Sequence, residues 1–259
     1  MPTEVEFKRL GVGVFICSYF LIVLAEILIL LNRCISLLLY SVVILAVLFY
    51  LTITRGVYRC RSAISILLLP ILRFVNFSTP VFFPYTIYWL PIVYLPIFLS
   101  IYTIIRALDL KIEEIGLSLK KLHVYIPFGV IIGFLFAIVE FKILKPNNLI
   151  PIPGLTGFLT LFIVMFMFVA FAEELMFRSV LQTSFEKDFG LIKGLILAAG
   201  LFAIVHIEYG LLEFVFTFFA GLIIGYLFQK TRSLPFVVMI RGTADVMIFG
   251  VFHMIGLRI

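Results

Sequence analysis

Runs of Leu, Ile, Val and Phe, each bounded by charges, Pro or Gly, recur along almost the whole chain. They predict helical spans at about 11–31, 35–54, 62–77, 80–105, 124–144, 156–181, 192–209, 211–229 and 234–257. A bilayer core of ~30 Å takes about 20 apolar residues per helix, and several runs reach that length with one charge or none. The pattern is that of an all-α fold, a polytopic transmembrane helical bundle with about eight or nine spans. The third run is the weakest: it is short and holds Pro70 and Arg73, and a re-entrant or interfacial segment is its alternative. Pro80, Pro84, Pro91 and Pro96 predict a kinked fourth helix, because each removes a backbone donor and clashes one turn back.

Between the fourth and fifth runs the pattern changes. Leu108, Ile112, Ile115 and Leu119 recur at helical spacing among charges, as expected of a segment lying along the cytoplasmic interface. It divides the chain into N-terminal transmembrane helices (1–105), an amphipathic interface segment (106–123) and a C-terminal transmembrane core (124–259). No period repeats along the chain.

Composition strengthens the membrane reading. Of 259 residues, 64% are hydrophobic and 13% charged, more apolar surface than a water-soluble globule of this length can hide. The net charge of +6 comes from Lys and Arg dispersed among the gaps between runs, which marks topology and argues against nucleic acid as a partner. The gaps holding Arg55, Arg59 and Arg61, then Arg106, Lys111, Lys120 and Lys121, then Lys187 and Lys193, then Lys230 and Arg232 all fall on one side. The other side holds Arg33, Lys145, the loop from Pro146 to Gly154, Glu208 and Glu213. Positive charge marks the cytoplasmic side, so the N-terminus is predicted to be cytoplasmic in a multi-pass membrane protein. The run after Lys8 and Arg9 is too long for the core of a cleaved signal peptide and reads as a retained span. Cys17, Cys34 and Cys60 have neither disulfide nor metal-site spacing and read as small apolar fillers.

Ionisable groups inside spans cost about 2.5–3.5 kcal/mol each on insertion scales, which makes them functional candidates. The C-terminal core holds Glu173 and Glu174 in Phe-Ala-Glu-Glu-Leu-Met-Phe-Arg, His206 at the end of Phe-Ala-Ile-Val-His, and Arg241 and Asp245 in Ile-Arg-Gly-Thr-Ala-Asp. At 1.5 Å per residue, Glu173, His206 and Asp245 each lie roughly 18–21 Å from the nearest cytoplasmic turn. Three spans therefore bring polar groups to one depth. Glu174 and Arg178 stand at i,i+4 and can pair, leaving Glu173 to face the other groups; Arg241 and Asp245 share a face by the same spacing. A carboxylate beside an imidazole in a partly dry pocket suits the activation of water, and an Arg or a protonated Asp suits donation to an oxyanion. Glu26, mid-way along the first span, and Glu140 with Lys142 read as structural or as lining a substrate path.

Glu173-Glu174-x-x-x-Arg178 followed by Phe202-x-x-x-His206 resembles the paired EExxxR and FxxxH motifs of the CAAX-protease and bacteriocin-processing family of glutamate-dependent intramembrane proteases. The resemblance covers roughly Lys111 to Ile259 and includes the Glu-Glu-Ile-Gly-Leu stretch at 113–117. It implies catalytic roles for Glu173, His206, Arg241 and Asp245, with Glu173 and His206 activating water and Glu174, Arg178 and Phe202 in support. It implies an intramembrane endopeptidase that cuts a lipid-modified or hydrophobic, membrane-anchored C-terminal tail, with membrane lipid as its surroundings. A metal, zinc above all, would fall to Glu173 and His206. One departure bears on that: the family's further motif is His-x-x-x-Asn or His-x-x-x-Asp, and here the slot reads Arg241-x-x-x-Asp245. Arg cannot bind zinc but can donate to an oxyanion. His253 lies too far along to fill the slot.

Other readings of the same residues are a sorting-type membrane protease or transpeptidase, a proton-coupled transporter whose buried ions form a relay, and a non-catalytic immunity or partner-binding protein. HExxH, GxSG and GxGD are all absent, which sets aside the zinc, serine and aspartyl membrane proteases.

Overall fold

The computed structural model describes residues 4–54, 60–80 and 82–256, and its regular structure there is entirely helical. The helices are α1 (Glu4–Ile29), α2 (Arg33–Ile53), α3 (Arg61–Ser78), α4 (Thr86–Ala107), α5 (Ile112–Ile115), α6 (Leu122–Leu144), α7 (Leu155–Phe189), α8 (Leu191–Ile204), α9 (Leu211–Thr231) and α10 (Leu234–Met254). All but α5 and α8 are long and apolar enough to cross a membrane, which makes eight such helices among the described residues.

Two expected segments take a different form, and the weakest one keeps its place. The fourth helix begins at Thr86, and Pro80 and Pro84 stand in the irregular stretch before it. Neither ring can supply the N–H that an interior helical turn needs, whereas Pro91 occupies the first α-turn, where that donor would be unpaired in any case. Pro96 alone lies inside the helix. The weak third run is a full 18-residue helix, and 56% of it is buried, against 33% and 28% for α1 and α2. A span packed inside the bundle faces little lipid, which explains how it tolerates Pro70 and Arg73. The expected span at 192–209 ends instead at Ile204, only 14 residues after its start. His206 then sits in a near-bridge conformation (φ −96°, ψ 3°), Ile207–Tyr209 form a 3-10 turn, and Gly210 reverses the chain at φ 112°, a backbone that residues with a Cβ rarely adopt.

The 35-residue α7 runs past the predicted end at 181. Its polar lower part is paired across the bundle: Gln182 donates to the Gly225 carbonyl at 2.9 Å and to Glu186 at 2.8 Å, and Arg232 pairs with Glu186. Close packing of α6 on α10 depends on Gly133, where a Cβ would collide with the Ile240 carbonyl oxygen and with Cβ of Thr243. Glu140 follows two turns later on the same helix.

The connections that carry the basic residues gather at one end. Ser179 donates to the Ile115 carbonyl at 2.5 Å, the Leu234 amide donates to the Gly116 carbonyl at 2.8 Å, Lys187 pairs with Glu114, and Asp188 accepts from the Ser62 amide at 2.7 Å. Arg55 and Arg59, counted with these connections, lie outside the described residues. At the other end the Trp89 indole donates to the Thr79 carbonyl at 3.1 Å, the Leu149 amide donates to the Phe249 carbonyl at 3.0 Å, and Arg73 pairs with Glu208 at 3.1 Å.

Candidate active site

Glu173 and Glu174 lie on one α-helical turn, Phe171–Glu174, set between two stretches of wider π-helical winding, Val164–Ala170 and Leu175–Gln182. A π-turn takes more than four residues and rotates the side chains beyond it relative to an ideal helix. Such windings recur at functional sites, and α10 carries another, Met247–Val251, just beyond Asp245.

The two carboxylates separate as their spacing predicts. Glu174 is wholly buried and pairs with Arg178, Oε2 to Nε at 3.1 Å. The Arg178 guanidinium lies over the Phe202 ring at 4.8 Å and its Nη1 and Nη2 have no protein hydrogen-bond partner, so the ring face compensates part of the charge. Glu173 turns the other way and lines a cavity of about 500 Å³ together with His206, Arg241 and Asp245. Tyr94 donates to Glu173 Oε1 at 2.6 Å, while Glu173 Oε2 accepts no hydrogen bond from the protein and stands 3.6 Å from Arg241 Nε.

Arg241 is the electrostatic centre. Its Nε lies 3.4 Å from Asp245 and one of its Nη atoms lies 3.5 Å from Glu140, so three carboxylates surround one guanidinium at distances too long for strong hydrogen bonds. The same group lies 5.5 Å from the Phe202 ring centre, and that ring meets the His206 ring in an edge-to-face arrangement with centres 4.9 Å apart. Phe202 thus touches both arginines and the histidine. The His206 Nδ1 is 2.8 Å from the Phe202 carbonyl oxygen. A carbonyl can only accept, so Nδ1 carries a proton, and in the neutral ring this assigns the lone pair to Nε2.

Tyr94, Glu140 and Glu213 add to the polar lining. Glu213 is buried in the first turn of α9 and accepts from Thr217 at 3.0 Å. Tyr94, amid prolines in an apolar run, carried no local signal in the sequence. Glu140 was visible as an ion in a span, but its partner Arg241 is a hundred residues away. Glu26 pairs with Arg73 outside this cavity. The remaining lining is largely apolar, including Trp89, Leu90, Leu144, Met165, Val169 and Phe249. The volume falls within the ~300–1,000 Å³ typical of ligand sites.

The donor set does not fit zinc. A catalytic zinc takes three His, Cys, Asp or Glu ligands, and among the described residues no such group converges. The Arg241 guanidinium, which cannot ligate a metal, lies against Glu173 and Asp245.

Residues 155–247 match the family described as type II CAAX prenyl endopeptidase, Rce1-like. The matched stretch runs from the start of α7 into α10 and contains Glu173, Glu174, Arg178, Phe202, His206, Arg241 and Asp245. The resemblance drawn from the two motifs holds over this stretch, and the matched family is by its description one of endopeptidases, that is, hydrolases. No curated protein and no solved structure matches the chain.

Proposed function

We propose that the chain is an intramembrane endopeptidase that hydrolyses a peptide bond in a lipid-modified or hydrophobic C-terminal tail of a membrane-anchored protein. The observation that carries this reading is the state of Glu173: one carboxylate oxygen is fixed by Tyr94 at 2.6 Å, and the other accepts no hydrogen bond from the protein, in a residue that lines the same cavity as His206. That is the disposition of a general base, which must be held in place and yet keep a free oxygen for the proton it takes.

In the proposed reaction a water lies between Glu173 and the Nε2 lone pair of His206. Glu173 takes a proton from that water as its oxygen attacks the scissile carbonyl carbon. Negative charge moves to the carbonyl oxygen, and the Arg241 guanidinium, oriented by Asp245, donates to it. The tetrahedral carbon then expels the amine, and Glu173 returns the proton to the leaving nitrogen. The apolar walls receive the hydrophobic flanks of the tail and keep other water out. Every proton transfer is assigned to a side chain of this chain, and no step passes through a metal.

The same charge pattern supports an orientation. With the basic connections cytoplasmic, as is usual for short loops, the N-terminus is cytoplasmic as well. The cavity is lined by Lys145, Pro146 and Asn147 from the α6–α7 connection and by Tyr209 from the α8–α9 connection, both at the opposite end. It therefore opens away from the cytoplasm, and the tail is presented from that side.

The test is cleavage of a membrane-anchored reporter by reconstituted protein in heavy-oxygen water. Incorporation of the label into the new C-terminal carboxyl of the N-terminal cleavage fragment is the expected result. Unlabelled product joined to an added amine would identify the sorting-type transpeptidase instead, and an uncut reporter would remove the proteolytic reading for that substrate.

A further inference from the structure

Three helices of the N-terminal half each place a polar side chain in one buried cluster: Glu26 from α1, Tyr40 from α2 and Arg73 from α3. Arg73 grips Glu26 with both arms of its fork, Nε to Oε1 and Nη2 to Oε2 at 2.7 Å each, and Tyr40 donates to the same carboxylate. The remaining contacts of the guanidinium leave these helices. Its Nη2 also donates to the Val205 carbonyl at 2.7 Å, and its Nη1 donates to Glu208 at 3.1 Å.

Val205 immediately precedes His206, and Glu208 follows two residues later. Arg73 therefore holds the turn on both sides of the imidazole. Val205 is at the C-terminal end of α8, where helix carbonyls lack intrahelical partners, and Arg73 supplies the missing donor. The ring is fixed separately, by Nδ1 on the Phe202 carbonyl. A buried ion pair is poor evidence for stability, because desolvation of the two charges offsets much of their attraction. Joining α1, α2 and α3 would need only the Glu26, Tyr40 and Arg73 contacts, yet two of the four Arg73 hydrogen bonds go to the residues that flank His206.

We propose that Arg73 is a positioning residue for His206, and that the N-terminal helices serve the reaction by fixing the turn that carries it. This rests on the hydrolytic role given to His206 above. With Arg73 gone, the segment between Ile204 and Gly210 keeps its own backbone hydrogen bonds and the Nδ1 contact of His206 with Phe202, and loses the two ties that Arg73 supplies at Val205 and Glu208. A misplacement of 1 Å at a reacting group is enough for a loss of about 10²-fold.

The test uses the full chain in three forms: native, Arg73→Lys, and Arg73→Met combined with Glu26→Leu. The double variant removes both charges together, so no lone buried ion is left to unfold the protein. Gel filtration and thermal unfolding select the folded preparations. Two readouts follow. In reporter cleavage, kcat of the double variant falls about 10²-fold while KM stays within roughly twofold, the split expected of misplaced chemistry rather than lost substrate contacts. Arg73→Lys, which can reach Glu26 or the Val205 carbonyl but not all four acceptors, falls between the two.

The second readout is independent of activity: the rate at which diethyl pyrocarbonate modifies His206, followed by mass spectrometry with His123 and His253 as internal references. A several-fold change confined to His206 in the double variant is expected. An unchanged modification rate at His206, or an unchanged kcat in a protein whose native form cleaves, overturns the proposal. If the native form cleaves nothing, the hydrolytic reading falls while the modification rate still decides whether Arg73 positions the turn.

Discussion

Replacing Arg241 by Lys separates its charge from its geometry. The guanidinium has carboxylate oxygens of Asp245, Glu140 and Glu173 at 3.4, 3.5 and 3.6 Å. At an effective dielectric constant of about 20, each such pair has a Coulomb attraction on the order of 5 kcal/mol before desolvation is counted. Full removal of the charge, as in Arg241→Met, would leave three clustered carboxylates uncompensated and is expected to damage the fold. Lys keeps the charge, and most of that attraction, but presents its donors from a single nitrogen, without the planar fork that holds one donor toward Asp245 and another at a distance toward a developing oxyanion. Loss of one oxyanion donor is worth about 10²–10³ in kcat, roughly 2.7–4 kcal/mol. The expected result for Arg241→Lys is thus a folded protein with near-native thermal stability, a KM within a few-fold of native and a kcat down by about two to three orders of magnitude. The assay is reporter cleavage under saturating and limiting substrate, with unfolding temperature measured on the same preparations. A lysine variant with native kcat would show that the guanidinium does not serve the oxyanion, and the step assigned to Arg241 would have to be withdrawn.

Other consequences can be checked separately. Gly133→Ala should destabilise the α6–α10 contact by about 1–3 kcal/mol, because the new methyl meets the Ile240 carbonyl and Thr243 with no room to yield; thermal unfolding reads this directly. The Cys60 thiol, at the start of α3, is pushed up to about 12, first by burial and then by the Asp188 carboxylate 3.4 Å away. Maleimide labelling of Cys60 should therefore be very slow at neutral pH and should quicken in Asp188→Asn. The Glu114 carboxyl is held below its ordinary value: partial burial opposes its charge, but the Lys187 ammonium and the Lys111 amide, both hydrogen-bonded to it, outweigh that. A depressed folded-state pKa gives stability that is present above the unfolded value and lost as pH falls through the folded one. Native protein and Glu114→Gln should accordingly differ in unfolding temperature near neutral pH and converge in acid.

The membrane fold was legible because lipid imposes a long apolar period that few other signals can imitate, and α2, α3, α6, α9 and α10 stand close to where that period put them. Two of the misplacements share one physical cause, a partner far away in the sequence. The end of α8 is held by Arg73, more than a hundred residues earlier, so the apolar run through Val205 bore no mark of it. The lower part of α7 appeared too polar to continue, because the partners of Gln182 and Glu186 lie on α9 and just beyond it. Prolines drew the start of α4 too early because the pattern of apolar residues does not distinguish a capped loop from a kinked turn. Within the site, i,i+4 spacing was enough to assign Glu174 to Arg178 and to turn Glu173 away from it. Local spacing held no trace of Tyr94 on Glu173, of Glu140 beside Arg241, or of the Phe202 ring between two guanidinium groups, since each depends on which helices meet.

The most direct test of Glu173 as the base is reporter cleavage by Glu173→Gln, which keeps the shape and a carbonyl acceptor for Tyr94 but cannot take a proton. The expected result is a folded protein that still binds the reporter and cleaves it at least 10²-fold more slowly than native. Cleavage at the native rate by a folded Glu173→Gln protein would contradict the role given to this carboxylate and, with it, the proposed hydrolytic mechanism.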